Sequence, residues 1–444
     1  MARDTSPLDP RQRPLHAIFR AYLATFLAAH LLPKFVRDEL EGYIDCGVLS
    51  CGCARYECQG CELTRVVALS CKGRGFCPRC LGRRMAQAAR DLVARVLPHV
   101  RIRHWVFSLP FALRVRLAFD HDQSLALWRI AQREIDRRYR RLGREAGIAN
   151  PRGGSVMVIH RAGSDLKLNL HYHALFLDGV WGDSGQFFKV PAPTPTEVEQ
   201  ILARIIARAE RLLGDSEPPG HDDDEAQLAR VYGSSTPVER HAPDDDDDPH
   251  DFGLALPARR KARIDQWDLD AEVAVSEHDR PRLEQLCRYI LRPPLALDRL
   301  RLLDDGRVCL ALKRPWADRT THVTMTPDVF LGRLASLVPR PERNTTLYFG
   351  VLAANARHRD LLVPCAEDER RVRPDSSWAA LMKYSFGLCV LTCPRCGERM
   401  KFMAVLLDRK EVRRLLEHLE LWSDPLPARP ARGPPDDGES QDFG

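Results

Sequence analysis

Long apolar runs are missing from this 444-residue chain. No stretch approaches the roughly 18 apolar residues of a membrane span, and the first residues lack a basic segment followed by an apolar core. A cytoplasmic protein with no membrane contact is the expectation. Aromatic residues are scarce at 7%, too few for the exposed stacking platform of a sheet that reads RNA bases. No Walker motif is present, so nothing points to ATP as a driver of chemistry. Acidic charge is concentrated in one region, Asp222 to Glu225 and then Asp244 to Asp248, so the net charge of +6 understates how cationic the remainder is. Arginines crowd the stretch between Lys72 and Arg144. Arg133, Arg137, Arg138, Arg140, Arg141 and Arg144 share one predicted helix, which suits a polyanion such as nucleic acid and equally a solvated face.

Cysteine, by contrast, is plentiful. Eight of the 14 cysteines lie between Cys46 and Cys80. Without a signal peptide, and with thiols paired as C-x-x-C, metal thiolates are favoured over disulfides. Cys58-x-x-Cys61 and Cys77-Pro-Arg-Cys80, 15 residues apart, have the spacing of a four-thiolate zinc ribbon, a closed tetrahedron with no open position for catalysis. Cys46 and Cys71 are alternative ligands or part of a second site. Lys72, Arg74, Arg79, Arg83 and Arg84 place positive charge beside the ribbon, as a phosphate-gripping module requires. Far downstream, Cys393-Pro-Arg-Cys396, with Cys389 just before it, is half a ribbon that His418 could help complete.

Between these cysteine groups the hydrophobic pattern alternates. From Leu168 to Leu177, apolar Leu168, Leu170, Tyr172, Ala174 and Phe176 interleave with Asn169, His171 and His173, the period of a strand. His171 and His173 therefore share a face, roughly 6–7 Å apart along the strand, where two imidazoles can hold one divalent metal. Ser155 to His160 reads as the strand before it, joined through the turn-rich Ala162 to Asp165 as an antiparallel hairpin. Arg103 to Leu109 reads as a further strand followed by one long helix to about Gly147, and Glu197 to Leu213 as another helix. Alternation resumes from Trp267 to Val275, with Asp270 and Glu272 on the second face, and either carboxylate, Asp270 foremost, is a candidate third ligand beside the histidines. Asp279 with Pro281 starts a helix that Pro293 and Pro294 end. On it Tyr289 lies off the apolar stripe, flanked by Arg282, Gln285 and Arg292, a cationic neighbourhood where its hydroxyl can meet a phosphate.

The fold class is α+β. A helical and zinc-ribbon region at 1–97 is followed by an antiparallel sheet packed with helices at 98–335, in which 214–262 reads as a flexible acidic insertion. A C-terminal domain spans 336–424, with basic segments at 340–344 and 355–359, and 425–444 reads as a disordered tail.

Taken together the chain resembles the transposases of insertion-sequence family 91, which belong to the HUH (His-hydrophobe-His) nucleases. The resemblance runs from about residue 15 to about 423 and rests on three motifs in order: Ser70-Cys71-Lys72-Gly73-Arg74-Gly75-Phe76-Cys77-Pro78-Arg79-Cys80, then His171-Tyr172-His173, then Cys287-Arg288-Tyr289-Ile290-Leu291-Arg292-Pro293-Pro294. It implies an HUH-type antiparallel sheet and a rolling-circle-like route through single-stranded DNA, with Tyr289 as nucleophile and a 5′-phosphotyrosine intermediate. It also implies magnesium or manganese on His171 and His173, and structural zinc on Cys58, Cys61, Cys77 and Cys80. It further implies single-stranded DNA at the element ends as the partner, with Arg74, Arg83, Arg84 and Arg292 as expected contacts, and a protein that is nucleoid-associated when bound. Two-tyrosine members carry a second tyrosine one helical turn earlier, where Gln285 stands, so the one-tyrosine branch is the better match. A plasmid replication initiator or relaxase, and an inactive zinc-ribbon DNA-binding protein, are the alternatives.

Overall fold

A computed structural model describes residues 14–214, 223–241, 260–357, 359 and 389–421. Asp244 to Asp248, His358 and the tail from 425 lie outside the described residues. The N-terminal region begins with helices α1 (Pro14–Ala29) and α2 (Lys34–Ile44). Leu15, Ile18, Phe19, Leu23 and Phe26 recur on one side of α1 and are buried. Pro33, extended at φ −52°, ψ 145°, divides the two helices. Strands β1 (Cys53–Cys58) and β2 (Thr64–Ala68) form a hairpin, and α3 (Pro78–Arg95) follows with proline at its first position, where a missing N–H costs nothing.

Next come β3 (Ile102–Ser108), α4 (Phe111–Phe119) and α5 (His121–Glu145). The single long helix expected here is two, because Asp120 turns out of helical geometry and caps α5 by accepting the Gln123 N–H at 2.9 Å. The predicted hairpin forms from β4 (Gly154–Ala162) and β5 (Leu168–Leu177). A small hairpin, β6 (Gly179–Trp181) with β7 (Phe187–Lys189), leads into α6 (Pro195–Gly214). The acidic insertion is not featureless. It contains α7 (Asp223–Ser234), whose Leu228, Val231 and Tyr232 are buried, and β8 (Glu239–His241). Three apolar residues at helical spacing, with acids Asp223 to Glu225 at the positive helix start, suffice for α7.

The strand expected over Trp267 to Val275 is split into β10 (Trp267–Asp270) and β11 (Ala274–Val275), both paired with β3, after β9 (Lys261–Ile264). Then come α8 (Arg280–Ile290), β12 (Leu300–Leu302), β13 (Val308–Ala311), β14 (His322–Met325), α9 (Pro327–Leu337) and β15 (Thr346–Gly350). The central antiparallel sheet runs β15-β4-β5-β3-β10-β9. One face, with Trp105, Phe107, Tyr172, Ala174 and Phe176, packs on Trp128 and Ile135 of α5 and Ile201 and Ile205 of α6. The other, with Val156, Val158, Leu175 and Leu177, packs on Ala89 and Leu92 of α3 and Leu283, Cys287 and Ile290 of α8. His171 and His173 belong to this second face, so α8 is laid beside them. A meander of β12, β13 and β14, extended by β8, lies beside the all-round buried α9.

Finally β16 (Met400–Leu406) pairs with β1, and α10 (Arg409–His418) follows it. The described residues of 336–424 are thus divided: β15 edges the central sheet and β16 completes the N-terminal one. Among the described residues no helix is long and apolar enough to cross a membrane.

Candidate metal and nucleophile site

Strand register brings a third histidine to the predicted pair. His160 of β4 lies directly across from His171 of β5, and its ring centroid is 5.1 Å from that of His171 and 4.2 Å from that of His173. One nitrogen from each of His160, His171 and His173 lies within 4.8 Å of the others. Each ring's second nitrogen is committed. His160 Nε2 donates to the Ile290 carbonyl, and His171 Nδ1 donates to the Asn169 carbonyl at 2.7 Å. His173 Nδ1 shares a hydrogen bond with His104 Nε2 at 2.9 Å. That leaves His160 Nδ1, His171 Nε2 and His173 Nε2, and the last is buried with no hydrogen-bond partner. A buried polar atom without a partner is costly, so this one points to a ligand.

Burial pushes His160 down to about 3 and His171 and His104 to about 4, and it lowers His173 as well, helped by the neighbouring imidazoles. All four rings are neutral at pH 7, the state in which imidazole binds metal. A ring nitrogen held by a backbone carbonyl, as in His160 and His171, is a usual support of metal-binding histidines. The donor set therefore fits a divalent cation. Three nitrogens favour manganese or a later transition metal over magnesium, which prefers oxygen and near-ideal octahedral geometry.

Asp270 is not part of this group. It faces Val106, and Val106 faces His173, so the carboxylate is two strands from the histidine, roughly 10 Å at ordinary strand spacing. It instead accepts the Glu272 N–H at 2.9 Å. Finding His160 from sequence needed one further step, placing the predicted hairpin in register. His104 shares the same face on β3.

Tyr289 stands beside this cluster near the end of α8. Asp279 caps the helix by accepting the Arg282 N–H at 3.1 Å, as the sequence predicts. The Tyr289 ring is 46% exposed and meets His173 edge-on at 5.9 Å and His104 at 6.5 Å. The Arg292 guanidinium lies 4.1 Å from the ring centroid. The same turn of chain supplies the Ile290 carbonyl that fixes His160, so nucleophile candidate and metal ligand share one support. A cleft of about 150 Å³ opens here, lined by Arg74, His160, Arg292 and Lys313. Among the described residues neither Arg292 nor Lys313 has a carboxylate partner. The arginine-rich α5 is different: Arg137 pairs with Glu134, Arg138 with Glu197, Arg140 with Asp136, and Arg141 with Glu145 and Glu197. Those charges are compensated within the protein.

The thiols are shared out differently from the expected ribbon. Cys77 and Cys80 group with Cys46 and Cys71, whereas Cys58 and Cys61 group with Cys393 and Cys396. Within each set all sulfurs lie within 4.8 Å of one another, with close pairs at 3.5–3.9 Å in the first (Cys46–Cys77, Cys46–Cys80, Cys71–Cys80) and at 3.4 and 3.6 Å in the second (Cys58–Cys396, Cys61–Cys393). Four sulfurs 2.3 Å from a zinc ion would stand about 3.8 Å apart, so both sets fit tetrahedral zinc. The two C-x-x-C knuckles separate because Cys58 and Cys61 sit at the β1–β2 turn and Cys77 and Cys80 at the start of α3. Backbone N–H groups of Gly60 and Cys61 point at Cys58 Sγ, that of Gly73 at Cys71 Sγ and that of Arg395 at Cys393 Sγ. Cys51, Cys53, Cys389 and His418 stand outside both sets.

Of the predicted DNA-contacting arginines, Arg74 and Arg292 meet at the cleft beside His160. Arg84 is exposed and donates to the Lys72 carbonyl, and Arg83 reaches Ser70 Oγ on the zinc-binding side. The chain matches the transposase zinc-binding domain over residues 18–109 and the Y2_Tnp transposase family over residues 154–359. The first span contains the cysteine set on Cys46, Cys71, Cys77 and Cys80, and the second contains the three histidines and Tyr289. No curated protein and no solved structure matches the chain.

Proposed function

The chain belongs to the insertion-sequence family 91 transposases, and from that premise we propose that it cleaves and rejoins single-stranded DNA through Tyr289 in rolling-circle-like transposition. The observation that carries this reading is the placement of a half-exposed tyrosine against His173, where the free nitrogens of three neutral imidazoles converge. A divalent cation held by His160, His171 and His173 would supply Lewis-acid neutralisation of a scissile phosphate. The Tyr289 hydroxyl attacks phosphorus in line, the bond to the 3′ oxygen breaks, and the 5′ phosphate stays on the tyrosine while a 3′ hydroxyl leaves. A phosphotyrosine keeps the bond energy, so a later 3′ hydroxyl can reverse the step and join strands without ATP. Arg292 orients the phenol through its ring contact, and with Lys313 and Arg74 it offers positive charge to the neighbouring phosphates. Gln285, one turn earlier and exposed, supplies no second nucleophile, so one tyrosine serves successive steps.

The test is incubation of the zinc-loaded protein with labelled single-stranded and double-stranded DNA from an element end, with manganese, magnesium or neither. Cleavage of the single strand that requires a divalent cation, strongest with manganese, is the expected result. Equal cleavage of duplex DNA, or cleavage without the cation, overturns the reading.

A further inference from the structure

The transposase zinc-binding match ends at residue 109 and the Y2_Tnp match ends at 359, so neither reaches Cys393 and Cys396. Yet these two thiols meet Cys58 and Cys61, which lie 338 and 332 residues away in the respective contact pairs Cys58–Cys396 and Cys61–Cys393. We propose that Cys58, Cys61, Cys393 and Cys396 bind a second structural zinc ion, which clasps the C-terminal segment 389–421 onto the N-terminal sheet. The zinc module is then assembled from both ends of the chain, with the nuclease region inserted between.

Three observations carry this. The four sulfurs have the separations of a tetrahedral thiolate site, and each C-x-x-C pair directs backbone N–H groups at a sulfur. Around them β16 pairs with β1 at six positions, and the Gln59 N–H reaches the Arg399 carbonyl. Among the described residues, the buried core around them is small: Ala54, Tyr56, Val67, Val390 and Met400, with the ligands Cys58 and Cys393 themselves. So small a core holds poorly by hydrophobic burial alone and is the kind that a metal staples. The two zinc sites also differ in access. In the first set three of four cysteines are buried and the fourth is half-buried, whereas in the clasp Cys396 is exposed.

Zinc content of the full-length protein, measured by elemental analysis and native mass spectrometry, tests the clasp without reference to DNA cleavage. In a His160→Ala/His171→Ala background, which removes the histidine site, two ions per chain are expected, and adding the C393S/C396S double substitution is expected to leave one. One ion in that background, or two after C393S/C396S is added, overturns the proposal. Should the double variant fail to fold, alkylation of the wild type mapped by peptide mass spectrometry gives the answer instead. Cys58, Cys61, Cys393 and Cys396 are expected to become reactive together only when a chelator strips the metal, with Cys389 reactive throughout. Cys393 and Cys396 reacting as Cys389 does before chelation overturns it.

Discussion

Replacing His160 by alanine examines the composition of the metal site. The substitution deletes one of three converging nitrogens and leaves the Ile290 carbonyl without its donor. Loss of a residue that merely supports a metal ligand commonly lowers affinity 10- to 100-fold. Loss of a ligand should reach at least the upper end, about 2.7 kcal/mol of binding free energy. Manganese binding to the zinc-loaded protein, followed by titration calorimetry or by the paramagnetic resonance signal of free manganese, measures it. Asp270→Ala is the companion variant, and because Asp270 stands two strands from His173 its affinity should stay at the wild-type value. If Asp270→Ala weakened binding a hundredfold and His160→Ala did not, the three-histidine assignment would be refuted. Both variants should keep their circular dichroism spectra, since His160 lies at the cleft and is only part-buried.

Because burial holds His160 near 3 and His171 near 4, below the ordinary 6.5, no proton must leave for metal to bind at neutral pH. Manganese affinity should be flat from pH 8 to about 5 and fall only as pH drops through the depressed values. A tenfold fall between pH 7 and pH 6 would contradict this. Arg292→Ala should weaken single-stranded DNA binding and reduce the slope of log affinity against log salt by about 0.7, the loss of one phosphate contact, measured by fluorescence anisotropy at several salt concentrations. Asp178 is fully buried and accepts two hydrogen bonds from Arg103, at 2.9 and 3.0 Å, and one from Tyr139. Asp178→Ala leaves the arginine buried and unpaired, so urea unfolding should show a loss of about 3–5 kcal/mol.

Local signals in the sequence are legible where they are complete within a few residues. Strict alternation from Leu168 to Leu177 identified β5 and put His171 and His173 on one face, and Asp279 with Pro281 located the start of α8. What escaped was pairing across distance. His160 is fixed by hairpin register, and the partition of the cysteines by β16 joining β1 from more than 300 residues away, which no spacing rule within the first 100 residues can contain. On the arginine-rich α5, Glu134, Asp136 and Glu145 stand within one turn of Arg137, Arg140 and Arg141 in the sequence itself, and only Glu197 of α6, which pairs with Arg138 and Arg141, becomes a neighbour on folding. In the acidic insertion, charge masked the three apolar residues that dock α7.

The measurement that bears most directly on the proposed chemistry is the identity of the residue joined to DNA. Wild type and Tyr289→Phe would be incubated with manganese and single-stranded DNA from an element end, digested with protease and nuclease, and searched by mass spectrometry for a nucleotide-bearing peptide. A 5′-phosphodeoxynucleotide on Tyr289 in the wild type, and none in the variant, is the predicted result. Adduct on another residue, or DNA cleaved by the wild type with no covalent peptide at all, would contradict it.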